Sequence, residues 1–321
     1  MTARELWFTG PRQVELRAAE RRVLAAGQVR ARALFSGVSQ GTELLLFKGE
    51  GPTPFDPSLD APGAPTYPRR YGYAWVGEVV ESQSESLAAG AQVFGLLPHG
   101  DEHCLAPAAL RVLPADVPAP RAVLAANLET ALNVVWDAGV ALGDDVVVLG
   151  GGIVGLLSGL LAQLGGARVR LLEPSFRRRA AASALGLQSL AADAPTEPAD
   201  VVIEATGNPA ALDRAIALAR DEGVVTLASF YGERVAPVRL GADFHRRRLT
   251  LKASQVSRLP PGRAPGWSFA RRFELVTRLL RDARLDNLLD SPLPFTEAPA
   301  LYARLAEAPA ESLQSIFSYG S

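Results

Sequence analysis

The chain has 321 residues, of which 48% are hydrophobic and 21% charged, and its formal net charge is -1. A chain of this length and apolar content can bury one large core or two modest ones, so two domains are expected. No run of basic residues is longer than three. The charge pattern therefore gives no electrostatic footprint for nucleic acid binding.

The cysteine content points to a reducing compartment. Cys104 is the single cysteine, so no internal disulfide can form, and the first residues contain no apolar segment of the kind that directs export. The sequence therefore predicts a cytoplasmic protein. Cys104 is interpreted as a small core residue rather than a nucleophile, because nothing beside it except His103 would activate the thiol.

Residues 1–125 have the composition and strand pattern of a small β domain. They are rich in glycine and proline, and the stretches at 28–35 and 76–80 are typical of strands. Six prolines between residues 49 and 70 argue against regular structure and predict a loop. We expect this part to form an irregular, barrel-like domain.

The pattern changes at about residue 126 into alternating strands and helices. Strands are predicted at 146–149, 169–172, 199–204, 223–228 and 249–253, and helices at 175–185 and 209–220. This alternation predicts a parallel sheet covered by helices on both faces, over residues 126–254. A loop at 259–266 and a helix at 267–281 follow, and residues 255–321 are expected to return to the first domain.

A glycine motif lies between the first two predicted strands of this second domain. Gly150 permits a tight turn, Gly152 lets backbone approach a pyrophosphate, and Gly155 lets the helix pack closely on the strand. Backbone N–H groups at the helix start, at Ile153 and Val154, would hold the phosphates. The motif predicts a dinucleotide site.

Two other interpretations of the same segment stay open. Residues 146–167 carry no charge over 22 positions, which is long enough to cross a bilayer. The segment would also suit a buried helix that binds no nucleotide. Three consecutive glycines near its start argue against a continuous helix, so the nucleotide site is preferred and no membrane contact is expected.

The acid that ends the next strand indicates which dinucleotide is bound. Glu173 follows Gly150 by 23 residues and is spaced to accept hydrogen bonds from the adenosine ribose. Its charge would repel a ribose 2′-phosphate, which favours NAD. NADP remains an alternative, because Arg178, within the run 177–179, could accept that phosphate.

Further cofactor contacts are expected where later strands end. Thr206 and Gly207 follow the fourth predicted strand, and Ser229 and Phe230 follow the fifth. The crevice at the carboxyl ends of parallel strands is where such ligands bind. These residues are therefore candidates for contact with ribose and nicotinamide.

The order of these motifs resembles that of the medium-chain dehydrogenase/reductase superfamily. About 145 residues precede the glycine motif, and the resemblance is carried by Gly41-Thr42-Glu43, by Gly72 and Gly77 before a strand, and by Glu204-Ala205-Thr206-Gly207. The sorbitol and threonine dehydrogenase branch is the most similar, through residues 169–185. The resemblance implies an α/β fold with a GroES-like β-barrel catalytic domain and a doubly wound Rossmann domain. It also implies a cleft between them in which an alcohol and a carbonyl are interconverted.

The zinc ligands of that superfamily are missing from the matching positions. Gln40 stands where cysteine precedes Gly-Thr-Asp, Tyr73 stands where Gly-His-Glu has histidine, and Ala126 falls at about the third position. The four-cysteine lobe that holds a structural zinc is also absent. We therefore expect no zinc and no other metal. A replacement site at His99, His103 and Cys104 is the alternative to ordinary surface or site-rim histidines.

Without zinc, hydrogen-bond donors must stabilise the charge that develops on the substrate oxygen. Tyr73 is the first candidate, because its phenol can donate to and then protonate an alkoxide. Thr42 matches the hydroxyl that relays the proton in alcohol dehydrogenases, and Gln40 could orient a substrate oxygen. Glu43 is expected to hold local structure, and His245 is a weak candidate only.

Structural interpretations of the same residues remain. Tyr73 and Trp75 could be aromatic core of the barrel, and Thr42 could simply cap the helix that begins at Glu43. The aromatic set Phe47, Tyr71, Tyr73 and Trp75 suggests an apolar or planar substrate, and equally a packed barrel.

The function expected is a zinc-independent NAD(P)-dependent oxidoreductase acting on a small alcohol or carbonyl. A quinone or enone reductase of the same superfamily and a non-catalytic dinucleotide-binding sensor or scaffold are the alternatives. The strand at 249–253 resembles the edge strand through which these proteins pair, so a homodimer is expected.

Overall fold

The computed structural model describes residues 3–20, 22–52 and 66–320. Within these ranges the strands are β1 (Arg4–Gly10), β2 (Gln13–Ala18), β3 (Val29–Gly37), β4 (Trp75–Ser82), β5 (Gln92–Gly95), β6 (Glu102–Leu105), β7 (Leu110–Val112), β8 (Asp145–Leu149), β9 (Arg168–Leu172), β10 (Gln188–Leu190), β11 (Ala199–Glu204), β12 (Ala219–Leu227), β13 (Thr250–Ala253), β14 (Leu293–Pro294) and β15 (Ile316–Ser318). The α-helices are α1 (Glu43–Lys48), α2 (Ala119–Ala122), α3 (Ala125–Ala138), α4 (Ile153–Leu164), α5 (Phe176–Ala184), α6 (Ala211–Leu218), α7 (Phe269–Leu279) and α8 (Ala298–Glu307).

The chain forms two compact units. Unit 1 consists of Met1–Ala126 and Thr277–Ser321, and unit 2 of Asn127–Val276. The boundary between the end of unit 2 and the C-terminal part of unit 1 therefore falls within α7.

Unit 1 is built on antiparallel strands, apart from the short parallel pair of β14 and β15. A seven-stranded sheet has the order β14-β15-β3-β4-β5-β7, with β6 paired to β3, and β1 and β2 form a separate hairpin. Inward-facing residues of β3, β4 and β5 form one apolar cluster, in which Trp75 is fully buried. Trp75 is therefore a core residue, which agrees with the packed-barrel interpretation of the aromatic residues.

A second apolar cluster of unit 1 packs α1 and α8 against β1 and β15. Phe8 and Tyr302 meet edge to face with ring centroids 5.3 Å apart, a geometry that aromatic pairs prefer. Tyr71 is also buried in this cluster, whereas Tyr73 is partly buried and packs against its margin. This cluster supports the candidate catalytic residues described below.

Unit 2 has the doubly wound architecture that the sequence predicts. Its six strands are all parallel, in the order β10-β9-β8-β11-β12-β13. Residues 146–149 of β8 are all at most 4% exposed. Because alternate side chains of a strand point to opposite faces, both faces of the sheet are covered.

The structure corrects several local predictions. The helix expected at 209–220 is shorter, because residue Ala219 already pairs with Ala199 as the start of β12. The three-residue edge strand β10 was not predicted. The loop expected at 49–70 falls largely on residues 53–65, which lie outside the described residues, and Cys104 is half-buried in β6 rather than part of the core.

The membrane interpretation of residues 146–167 is wrong. The segment divides into β8, a glycine turn and the 12-residue helix α4. In the described part of the chain, no helix has the length and apolarity needed to cross a bilayer.

Candidate active site

The glycine turn between β8 and α4 has the close packing that its spacing predicts. Gly150 has a φ of +98°, and a Cβ at this residue would lie 2.7 Å from the carbonyl oxygen of Ala205. A Cβ at Gly155 would lie 2.0 Å from the carbonyl oxygen of Gly150. No larger residue fits at either position without moving backbone.

The start of α4 is open to a ligand. Gly152 occupies the N-cap position, no side chain of the described residues caps the helix, and its first turn contains no acid. A Cβ at Gly152 would meet nothing within 4 Å. The first N–H groups, including those of Ile153 and Val154, thus lack intrahelical partners and favour an anionic group.

Glu173 is fixed against this turn at the end of β9. Its Oε2 accepts a hydrogen bond from the N–H of Gly151 at 2.6 Å, and its Oε1 accepts one from the N–H of Ser175 at 2.8 Å. The residue is only 3% exposed. A carboxylate has about four lone-pair sites, so acceptor capacity remains for ribose hydroxyls.

Two arginines of the run that follows β9 have different roles. The backbone N–H of Arg178 donates to Ser175 Oγ at 3.4 Å, which caps α5. The guanidinium of Arg179 donates to the carbonyl oxygens of Glu173 and Pro174 at 2.7 and 2.6 Å. Arg179 therefore holds the strand end, a role that sequence spacing did not assign.

The ends of β11 and β12 meet around a buried acid. Glu204 is fully buried, and its Oε1 accepts hydrogen bonds from the N–H and hydroxyl of Thr206. Its Oε2 accepts the hydroxyl of Tyr231 at 2.5 Å. Burial first, and then the Glu204 carboxylate, raises the pKa of Tyr231. Sequence reasoning did not select either residue as part of the site, although Glu204 belongs to the motif that carried the family resemblance.

The other predicted residues lie at the same edge. The N–H of Gly207 donates to Ser229 Oγ at 2.8 Å, and Phe230 is exposed. The structure therefore brings together Thr206, Gly207 and Ser229 as the spacing predicts.

Three hydroxyls meet in unit 1. The Tyr73 hydroxyl donates to Ser39 Oγ in a short hydrogen bond and lies 3.4 Å from Thr42 Oγ1. We call Ser39, Thr42 and Tyr73 the hydroxyl cluster. Ser39 was not predicted, because its role depends on a tyrosine 34 residues away.

Thr42 does not cap α1. It occupies the N-cap position with helical φ and ψ, and its side chain makes no capping hydrogen bond. The capping interpretation is therefore wrong. Gln40 uses an amide hydrogen to donate to the carbonyl oxygen of Leu313 at 2.9 Å, which ties it to the C-terminal segment.

Glu43 is fully buried and is surrounded by donors. It accepts hydrogen bonds from the N–H of Ser39 at 2.9 Å, from His99 Nε2 at 3.0 Å and from the Tyr302 hydroxyl. Burial and the adjacent Glu43 carboxylate raise the pKa of Tyr302. We call Glu43, His99 and Tyr302 the Glu43 cluster, and it holds local structure as expected for Glu43.

His99 is buried and His103 is partly buried, so neither is an ordinary surface histidine, whereas the third histidine, His245, is exposed. His99 is 1% exposed, and its Nδ1 lies 2.7 Å from Ser36 Oγ, which is in turn 2.7 Å from the Tyr319 hydroxyl. His103 Nε2 donates to the carbonyl oxygen of Pro98 at 3.0 Å, and burial lowers its pKa to about 4. Across residues 3–20, 22–52 and 66–320, no three His, Cys, Asp or Glu side chains are grouped to hold a metal.

Two curated relatives match nearly the whole chain. D-guloside 3-dehydrogenase of Escherichia coli K12 is 27% identical over 95% of this chain and 96% of its own. The 2-desacetyl-2-hydroxyethyl bacteriochlorophyllide A dehydrogenase of Cereibacter sphaeroides is 29% identical over 92% of both chains. No protein-family model matches.

Solved structures show the same fold. 2R,3R-butanediol dehydrogenase from Bacillus subtilis superposes with a TM-score of 0.81 over 99% of this chain and 100% of its own, at 18% identity. A dehydrogenase of the zinc-binding type from Sinorhizobium meliloti, bound to NADP, gives 0.79 over 99% and 100%, also at 18% identity. The fold is the GroES-like plus Rossmann fold of medium-chain dehydrogenases, and together with the relatives it supports an alcohol dehydrogenase-like oxidoreductase.

Proposed function

We propose that the chain is a nicotinamide-dependent oxidoreductase that interconverts an alcohol and a carbonyl without zinc. The observation that carries this proposal is the hydroxyl cluster, in which the Tyr73 hydroxyl contacts those of Ser39 and Thr42. The resemblance implies that Tyr73 stands where the superfamily has a zinc-binding histidine. The dehydrogenase relatives along almost the whole chain support the reaction class.

The residues of unit 2 fit a dinucleotide. The open backbone at Gly152 and the uncapped start of α4 suit a pyrophosphate, and Glu173 suits the ribose hydroxyls. When bound, the nicotinamide supplies or accepts the hydride. We favour NAD over NADP because the buried Glu173 carboxylate lies at the end of β9, where the resemblance implies that the ribose binds, and would repel a 2′-phosphate.

Tyr73 would act as the general acid. In reduction, its phenol donates a hydrogen bond to the carbonyl oxygen and gives up its proton as negative charge develops there. In oxidation, the phenolate accepts the proton of the alcohol. Thr42, with Oγ1 3.4 Å from the Tyr73 hydroxyl, would support the substrate oxygen, and Gln40 would help to orient it.

We propose a reaction without zinc because of the residue types at the positions that match the zinc ligands of the superfamily. Gln40, Tyr73 and Ala126 lack the thiolate, imidazole and carboxylate groups that bind zinc. Lewis-acid stabilisation would then be replaced by hydrogen bonds from the hydroxyl cluster.

We also infer a homodimer in the cytoplasm, with no nucleic acid partner. β13 is the last strand of its sheet and pairs only with β12 among the described strands, and an open edge favours pairing with a second copy. The single cysteine favours a reducing compartment.

The test is a turnover screen with NADH and NADPH against ketones, aldehydes, quinones and enones. We expect turnover of a carbonyl or its alcohol, and a loss of about 100-fold in kcat for Tyr73→Phe, the lower end of general acid catalysis. The dissociation constant of the dinucleotide should stay unchanged. Reduction of enones alone, binding without turnover, or full activity of Tyr73→Phe would each contradict the proposal.

A further inference from the structure

We infer that Ser39 is a positioning residue for Tyr73, and that its hydroxyl accepts from the phenol at rest and donates to the phenolate after proton transfer. This inference rests on the proposed role of Tyr73. Nothing in the order of motifs pointed to Ser39, and the Glu43 cluster gives it a fixed place.

Ser39 is held at three points. Its N–H donates to Glu43 Oε1 at 2.9 Å, and its carbonyl oxygen accepts the N–H of Glu43 at 2.9 Å. Its Oγ accepts the N–H of Thr42 at 3.3 Å. The position of Ser39 Oγ is therefore set by the backbone of the turn before α1, and the phenol of Tyr73 is set by Ser39 Oγ.

The Glu43 cluster makes the position of Ser39 rigid. His99 Nε2 and the Tyr302 hydroxyl both donate to Glu43 Oε2, which leaves Oε1 for Ser39. A fully buried carboxylate is stable only when hydrogen bonds compensate its charge. The three donors provide that compensation and fix the oxygen to which the N–H of Ser39 is attached.

Each hydrogen of the hydroxyl cluster can be followed through one carbonyl reduction. At rest, Ser39 Oγ accepts from Tyr73 and from the N–H of Thr42. When a carbonyl substrate binds, the phenol O–H turns from Ser39 Oγ to the carbonyl oxygen. When the carbonyl carbon then receives hydride, the O–H bond of Tyr73 breaks and its proton forms the O–H bond of the product alcohol. The Ser39 hydroxyl then rotates, without breaking its own O–H bond, and donates to the phenolate. A proton taken up from solution then re-forms the O–H bond of Tyr73, so each reduction consumes one hydride and one proton.

Such a donor has a measurable effect on Tyr73. A hydrogen bond to a charged group is stronger than one between neutral groups, so Ser39→Ala should lower kcat about 10- to 100-fold. It should also move the limb of the pH–rate profile that reports Tyr73 to higher pH, because the phenolate loses a donor. Ser39→Thr keeps a hydroxyl and should restore most of the activity.

The decisive experiment is a double-mutant cycle of Ser39→Ala and Tyr73→Phe, read as kcat and as pH profile. Ser39→Ala should cost little in the Tyr73→Phe background. An equal loss in both backgrounds would overturn the positioning role, whereas a fully active Tyr73→Phe would overturn the proposed function instead.

Two further variants separate positioning from stability. Ser82→Ala removes a half-buried hydroxyl that donates to two backbone carbonyls in the same unit, and it should lower the melting temperature without changing kcat. If Ser39→Ala does not fold, Ser39→Cys keeps the volume with a weak donor. An unchanged kcat and pH profile in Ser39→Cys would overturn the inference.

Discussion

Glu173 is the residue at which the choice of dinucleotide should be decided. Glu173→Gln keeps the size and an acceptor for the N–H of Gly151 but removes the charge. We expect the ratio of the dissociation constants for NADPH and NADH to fall about tenfold, equal to ~1.4 kcal/mol, because the 2′-phosphate is no longer repelled. Fluorescence titration with both dinucleotides measures it.

The control for this change is Glu197→Gln, which removes an equal charge from an exposed position of the same unit. It should leave the ratio unaltered. If Glu173→Gln also leaves the ratio unaltered, the carboxylate does not select the cofactor.

His103 should make stability depend on pH. Burial lowers its pKa to about 4, against ~6.5 in the unfolded chain. Between these two pKa values the unfolded state binds more protons than the folded state. The free energy of unfolding therefore decreases as the pH falls from 6.5 toward 4. From pH 7 to pH 4.5 the wild type should lose about 2 kcal/mol more than His103→Gln. Urea unfolding at the two pH values measures this, and equal losses would show that His103 does not contribute.

The distance along the chain decides which site residues could be predicted. Glu173 and the glycine turn are 22 residues apart, within one strand-helix-strand unit whose geometry fixes the spacing. The contacts of Glu43 join residues 56 and 259 positions apart, and Ser36 meets Tyr319 across 283. Such pairs depend on the fold of unit 1, and no local pattern indicates them.

At the scale of elements, the open edge of β13 should carry the dimer. The N–H of Ser254 donates to the carbonyl oxygen of Leu227 in β12, so alternation along the strand directs the N–H of Ala253 to the open side. Ala253→Pro removes this donor while sparing the pairing with β12. We expect it to shift the solution mass from dimer to monomer, as measured by light scattering.

Ala253→Val is the matched variant, because it adds bulk but keeps the N–H. It should remain a dimer. A wild-type protein that is monomeric would contradict the dimer itself, and a dimeric Ala253→Pro would place the contact elsewhere.

The elements of unit 2 were predicted better than those of unit 1. Four strands of the parallel sheet, β8, β9, β11 and β12, contain the apolar runs from which they were predicted, because buried parallel strands are largely apolar. β13 was also predicted, although it mixes Thr250 and Lys252 with apolar residues. β10 was missed, since three residues of mixed burial carry no periodicity. In unit 1, β14 and β15 join the sheet from the end of the chain, a pairing that only the tertiary fold determines.

At the scale of the whole molecule, the residues fitted to a dinucleotide lie in unit 2 and the hydroxyl cluster lies in unit 1. In the sequence, the resemblance in the order of motifs is what links the two groups of residues, and that link stays a prediction. The structure adds the Glu43 cluster, in which Glu43 accepts the N–H of Ser39, whose hydroxyl in turn accepts a hydrogen bond from Tyr73.

Zinc content, taken together with turnover before and after treatment with a chelator, tests whether the reaction proceeds without zinc. We expect activity that survives chelation, with far less than one zinc per chain, and no gain on adding zinc. One zinc per chain, with activity lost on chelation and restored by zinc, would contradict it.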